Sequence, residues 1–218
     1  MSEITYLAIA FSSRTANGHL RAAVTAAAPP DAKVVRTRPD VIAAVFEVDR
    51  SADARSEGER LRRQVAIDAQ DAELSVAVSG PKRGTTGAHF ALLQADQAVS
   101  LSRTNGGKAK TTHFEDLGPY RFVLGQPESD IEANAERVLG PLADDERYTD
   151  LVRTLEAYLK LHGSVNGVAR ELYLHRNTVR QRLRRIGQLT GAKLSSSDDR
   201  LALQLALLGR QALERIAS

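Results

Sequence analysis

Arginine and amide side chains crowd the segment Ser164–Arg185, SVNGVARELYLHRNTVRQRLRR, at spacings suited to a polyanion. In its second half Val179, Leu183 and Ile186 recur at i, i+4, i+7, one stripe of a helix. At about 100° per residue, Asn177, Arg180, Gln181 and Arg184 then point the other way. One side can pack while the other meets phosphates and base edges. A guanidinium suits bidentate contact with guanine, and a glutamine amide pairs with adenine. The candidate contacts are Arg176, Asn177, Thr178, Arg180 and Gln181, with Arg184 on the phosphate backbone. Six arginines lie between Arg170 and Arg185 against one acid, Glu171, so few i,i+4 partners are available to neutralise them. A solvated basic surface helix is the alternative, but such a face ordinarily mixes both signs.

Two helices and a tight turn must hold these groups in place. Val165, Val168, Ala169 and Leu172 form one buried stripe of the first helix, and Ser164 can cap it. Ala169 is small enough for close approach at the crossing, and Val179 supplies the facing core residue. The second helix is expected from about His175 to Gly187, with His175 either capping it or touching a phosphate. This spacing resembles the helix-turn-helix motif, whose second helix enters the major groove. Around it, Leu151, Leu155, Tyr158 and Leu159 form a packing stripe closed by His162-Gly163. A final helix is expected from Asp198 or Asp199 to about Ile216. Its main stripe is Leu201, Leu205, Leu208 and Ala212, and a narrower second one is Leu203 and Leu207. That second stripe either packs against another domain or subunit, or belongs to one broad core face.

The net charge of +3 over 218 residues hides a division. Residues 148–218 hold 12 Lys and Arg against 6 Asp and Glu, and the remaining residues 18 against 21. That asymmetry points to a basic module for nucleic acid beside a near-neutral partner domain. With no cysteine, disulfide and thiolate chemistry are excluded. The apolar run of MSEITYLAIAFSSR is too short to span a membrane and no basic segment precedes it, so a cytoplasmic protein without membrane attachment is expected.

The first two-thirds alternates strand-like and helix-like stretches. Strands are expected at Ile4–Phe11 and Leu74–Val78, with a hairpin-like pair at Lys33–Arg38 and Val41–Val48 around Pro39-Asp40. Helices are expected at Ala16–Ala28, Ala54–Ala72 and Gly87–Arg103. Strand–helix–hairpin–helix–strand–helix predicts helices layered on a sheet. Gln126-Pro127 breaks the chain, and a helix at Ser129–Leu139 ends at Gly140-Pro141. The glycine-rich Ser79–Gly87 loop lacks the Gly-Lys-Ser/Thr ending of a phosphate-binding P-loop and reads as a strand-to-helix loop. Asn105-Gly-Gly-Lys108 reads as a turn. The five histidines show no i, i+4 pairing, so no metal site is expected.

L155-E-A-Y-L-K, then V168-A-R-E-L-Y-L-H-R-N-T-V-R-Q-R-L-R-R-I, then D199-R-L-A-L-Q-L-A-L resembles the C-terminal domain of PucR/CdaR-type bacterial transcriptional regulators. The resemblance implies a DNA-binding regulator with a helix-turn-helix akin to that of the factor for inversion stimulation. Tyr173 departs from the general motif, in which many such turns pass through glycine. Upstream, V76-A-V-S-G-P, Gly87, A95-D-Q-A and F114-E-D-L-G are similar to the family's middle domain, a degenerate relative of diguanylate cyclase (GGDEF) domains. The comparable hairpin is R36-T-R-P-D-V-I-A, with Arg38-Pro39 in place of the glycines and Val41 in place of the second acid. Proline removes a donor N–H and an arginine side chain obstructs close nucleotide approach. The resemblance thus implies a dimerisation or signal-relay unit rather than an enzyme. It also implies a ligand-sensing region ahead of this domain, so the chain is read as a short member or a piece of a longer protein.

The expectation is a two-domain, α+β/all-α protein. Residues 1–126 form an α/β sandwich resembling a degenerate nucleotide-cyclase (GGDEF-like) domain, residues 127–147 a helical linker, and residues 148–218 an all-α helix-turn-helix bundle. The expected partners are double-stranded DNA, a second copy of the chain in a homodimer, and an unidentified small-molecule effector. No cofactor is expected. A nucleotide-sensing or diguanylate-cyclase-related enzyme acting through residues 1–126 is the competing reading.

Overall fold

Strand β1 (Thr5–Ser12) is apolar along almost its whole length because both its faces are covered. The computed structural model describes residues 4–13, 19–49, 52–103 and 111–217. They divide into two units, Met1–Pro127 with Glu214–Ser218, and Glu128–Leu213.

In the first unit β1 is followed by α1 (Leu20–Ala27), the hairpin β2 (Lys33–Arg38) and β3 (Val41–Val48), α2 (Ala54–Asp68) and β4 (Ser75–Val78). The short β5 (Lys82–Arg83), α3 (Gly87–Arg103) and β6 (Thr111–His113) complete it. The sheet order is β2-β3-β1-β4-β6, with β5 pairing β1. All pairs are antiparallel except β4 with β6, which are parallel and joined through α3. The first six elements are a split β-α-β arrangement, with β1 inserted between β3 and β4.

The period of two along each strand separates two cores. Leu7, Ile9, Phe11, Ile42, Phe46, Val76 and Val78 pack with Leu20 and Val24 of α1 and Leu61 and Val65 of α2. The opposite face carries Ala8, Ala10, Ala43 and Ala77, all buried, as are Ala91, Ala95 and Ala98 of α3. With methyl groups on both sides, α3 lies close to the sheet. The residues of the upstream resemblance turn out to be polar pins. The Ser79 hydroxyl accepts from the Ala8 N–H at 3.0 Å. The Gln97 amide, fully buried, accepts from the Gly125 N–H at 2.7 Å and donates to the Gln126 carbonyl at 2.9 Å. Arg38 Nε donates to Asp96 at 2.9 Å, and Arg55 forms a bidentate pair with Asp116.

The second unit packs α4 (Glu128–Leu139), α5 (Thr149–Lys160), α6 (Val165–Glu171), α7 (Arg176–Thr190) and the length of α8 (Ser197–Ala217) up to Leu213. Its core holds Ala135, Leu139, Leu142, Leu155, Val168, Val179, Leu183, Ile186, Leu203, Ala206 and Leu207. Within the segment 127–147, expected as a helical linker, α4 and the Gly140–Leu142 turn contribute Ala135, Leu139 and Leu142 to this core.

Several expectations need correction. On α8 the buried stripe is Leu203, Ala206, Leu207 and Ala212, while Leu201 of the expected main stripe is 57% exposed and Leu205 and Leu208 are half-buried. Leucines occur on both sides of this helix, so their spacing fits two stripes, and Ala206 gives the chosen one its close approach. Helix α2 stops at Asp68 rather than residue 72, because Gln70 turns left-handed (φ 54°) and the Asp71 N–H bonds back to the Ala66 carbonyl. Helix α1 is described from Leu20, and the expected start at Ala16 lies outside the described residues, as does Asn105-Gly-Gly-Lys108. Strands β5 and β6, of two and three residues, are too short for a periodic signal.

Two predictions concern the first unit. A Cβ at Gly58 would fall inside van der Waals reach of Val78 Cγ2, so Gly58→Ala should destabilise the sheet–α2 contact by about 1–3 kcal/mol in chemical denaturation. The Glu59 carboxylate accepts hydrogen bonds from Arg62, Arg63 and Thr111, and these partners, Arg62 first, hold its pKa down to about 2. A carboxyl depressed in the folded state stabilises above its unfolded pKa, and that share is lost as pH falls through about 4.5 towards 2. Glu59→Gln should therefore flatten the acid limb of the stability–pH curve.

Candidate nucleic-acid interface

Ser164 caps α6, its Oγ accepting from the Gly167 N–H at 3.1 Å. The helix ends after seven residues where Tyr173 adopts φ 54°, and the Leu174 N–H closes back on the Ala169 carbonyl at 2.9 Å. That bond over five residues is the Schellman closure, usually built on glycine. Tyr173 makes it without glycine, and its side chain is 95% exposed. His175 caps the next helix through Nδ1, which accepts from the Asn177 N–H at 3.2 Å. The expected role of His175 as a cap is thus observed, on a side chain open to solvent. Helix α7 runs three residues beyond the expected Gly187 and stops at Gly191, whose φ of 72° favours glycine.

The buried side of α7 is the expected one: Val179 and Ile186 are fully buried and Leu183 nearly so, against Val168 of α6 and Leu155 of α5. The opposite side presents the candidate contacts. Arg176, Asn177, Arg180, Gln181 and Arg184 are exposed, and Thr178 is half-buried. Arg176, Arg184 and Arg185 meet no carboxylate among the described residues, and Arg180 reaches only the Asn177 side-chain oxygen, at 3.3 Å. The lone acid of the segment, Glu171, is taken by Lys160 at 3.1 Å.

One arginine behaves differently. Arg182 turns back to α5, where Nη2 meets the Asp150 carboxylate at 2.8 Å and Nη1 the Thr154 hydroxyl at 3.2 Å. Spacing alone gives no sign of this pairing, whose partners stand 28 and 32 residues away. Among the described residues no three His, Asp or Glu side chains gather as metal ligands, and no helix is long and apolar enough to cross a membrane.

Residues 151–208 match the PucR C-terminal helix-turn-helix domain. An uncharacterised protein of Thermomonospora curvata is 34% identical over 134 residues, which are 60% of this chain and 71% of that protein. The chain belongs to the PucR family. An uncharacterised protein of Mycobacterium tuberculosis is 30% identical over 136 residues, covering 62% of this chain and 32% of that protein. The proline-responsive transcriptional activator PutR of Bacillus subtilis is 32% identical over 119 residues, 53% of this chain and 29% of PutR. The matched region thus spans about a third of the length of the mycobacterial and PutR relatives. The PucR-type motif here is the α6–turn–α7 unit, with Arg176, Arg180, Arg184 and Arg185 exposed and Arg182 turned back to α5.

Removing the α6 cap tests this local architecture. Ser164→Ala should cost about 0.5–2 kcal/mol of stability in thermal denaturation, and Ser164→Asp should restore most of it.

Proposed function

We propose that the chain is a sequence-specific, double-stranded-DNA-binding regulator of transcription. The observation that carries this reading is α7, buried along Val179, Leu183 and Ile186 and bearing exposed arginines that meet no carboxylate among the described residues. Arg176, Asn177, Thr178, Arg180 and Gln181 meet base edges and flanking phosphates in the major groove, and Arg184 holds the phosphate backbone. Membership of the PucR family supports regulation of transcription. PutR's response to proline belongs to PutR alone. The protein acts as a homodimer on two half-sites about one helical turn apart, in the cytoplasm, under an effector of unidentified chemistry.

The first unit serves this reading as a dimerisation or relay domain related to the GGDEF fold. The split β-α-β order and the β2–β3 hairpin support the relation. Arg38 and Pro39 stand at the turn where the active hairpin needs glycines, and the Arg38 guanidinium is engaged by Asp96. Incubation with GTP and Mg²⁺ should yield no cyclic dinucleotide by chromatography, and product formation would return the unit to the enzymes.

Arg180→Ala is the test of the interface. Against the duplex selected from a random pool, it should lose about 1–3 kcal/mol of affinity and relax preference at one base pair. Arg184→Ala should weaken selected and scrambled duplexes alike, and lower the slope of log affinity against log salt by about 0.9 for each phosphate no longer neutralised. Unchanged binding by both variants would sink the assignment.

A further inference from the structure

We infer that Arg182, with Asp150 and Thr154, is a positioning clamp that sets the rotation of α7 about its own axis and so decides which side chains reach the bases. This rests on the reading of α7 as the recognition helix. The α5 end of the clamp is itself built. Thr154 is fully buried, and its hydroxyl donates to the Asp150 carbonyl at 2.7 Å while accepting from Arg182. Arg182 Nη1 also points at that carbonyl, at 3.4 Å, and Nη2 holds the carboxylate at 2.8 Å. Three oxygens of one helical turn of α5 thus receive a single guanidinium from the middle of α7.

Exposure separates this arginine from its neighbours. The Arg182 side chain is 23% exposed, whereas Arg180, Arg184 and Arg185 are open to solvent. Apolar packing along Val179, Leu183 and Ile186 holds α7 against the core but tolerates small rotations, because methyl groups have no preferred bond direction. A planar guanidinium bound through two nitrogens has one. On a helix whose arginine tips stand about 9 Å from the axis, a rotation of roughly ten degrees sweeps them by more than about an ångström, enough to break bidentate alignment with a base.

Simple electrostatics and the clamp give opposite signs for the loss of Asp150. Removing the negative charge of Asp150 makes the basic unit more basic, and by charge alone should tighten binding to any duplex. With the clamp, Asp150→Ala and Asp150→Asn should instead lower the ratio of selected to scrambled affinity by about tenfold, the discrimination that one bidentate base pairing supplies. Arg182→Ala should do the same, Arg182→Lys nearly as much because it lacks the fork, and the Arg182→Ala/Asp150→Ala double variant should be no worse than either single one. The salt slope should stay unchanged, since Arg182 touches no phosphate.

The measurement uses the full chain, with the duplex selected from a random pool and a scrambled duplex of equal composition. Arg180→Ala is the control for the interface itself. Two results would overturn the clamp. In one, Arg182→Ala lowers both affinities equally with a reduced salt slope while the Asp150 variants bind as well or better, making Arg182 a phosphate contact. In the other, the affinity ratio survives every clamp variant. If no duplex is selected, or Arg180→Ala also binds normally, the DNA-binding reading itself fails. Amide hydrogen exchange along α7 then still decides the conformational half of the inference: faster exchange in Arg182→Lys and Asp150→Asn supports it, and unaltered exchange overturns it.

Discussion

Like charges stacked along α7 set the constraint under which the helical unit is built. Arg176, Arg180 and Arg184 follow one another at i,i+4, a spacing that costs an isolated helix about 0.2–0.5 kcal/mol for each neighbouring pair. No carboxylate on α7 relieves them, since Arg176–Thr190 contains none. The helix is therefore held by what lies behind and at its ends: three buried apolar residues, the His175 cap, the left-handed Gly191 and the reach of Arg182 to α5. Each of these stabilises the helix without neutralising its exposed face. A protein that relieved the repulsion with acids on that face would lose the positive surface that the proposed function requires.

The first unit meets a different constraint, a sheet covered on both sides by helices of unlike bulk. On one face leucine, isoleucine and phenylalanine fill the space beneath α1 and α2, and on the other alanines bring α3 close. Close approach leaves little room for water, and some polar groups there find partners within the protein, although Asp96 Oδ1 and Ser100 Oγ of α3 are buried without one among the described residues. Gln97 serves the Gly125–Gln126 turn in this way, and Ser79 serves the backbone of β1.

Much of the helical unit is legible in the sequence because its signals are local. The Val179, Leu183, Ile186 stripe, the Ser164 cap and the exposed side of α7 all follow from residues within two turns of one another. The β2–β3 hairpin is legible for the same reason, Pro39-Asp40 separating two β-prone runs. What stays hidden depends on distant partners or on ambiguity within one helix. By charge alone Arg182 is one of six equivalent cations, and only the packing of α7 on α5 brings Asp150 within its reach. On α8 leucines on two sides satisfy helical spacing equally, and the choice between them falls to the shape of the facing core.

The order of strands has a kinetic consequence. Strand β1 stands between β3 and β4, so the sheet's central strand gains its second neighbour only when segments separated by α1, the β2–β3 hairpin and α2 have met. Loop-closure entropy must be met before such pairing is rewarded, which makes this topology slow to form. The helical unit closes through consecutive helices joined by short turns, where contacts are local and folding is rapid. The two units are therefore expected to fold at different rates, the first limited by long-range strand pairing and the second by contacts between neighbouring helices.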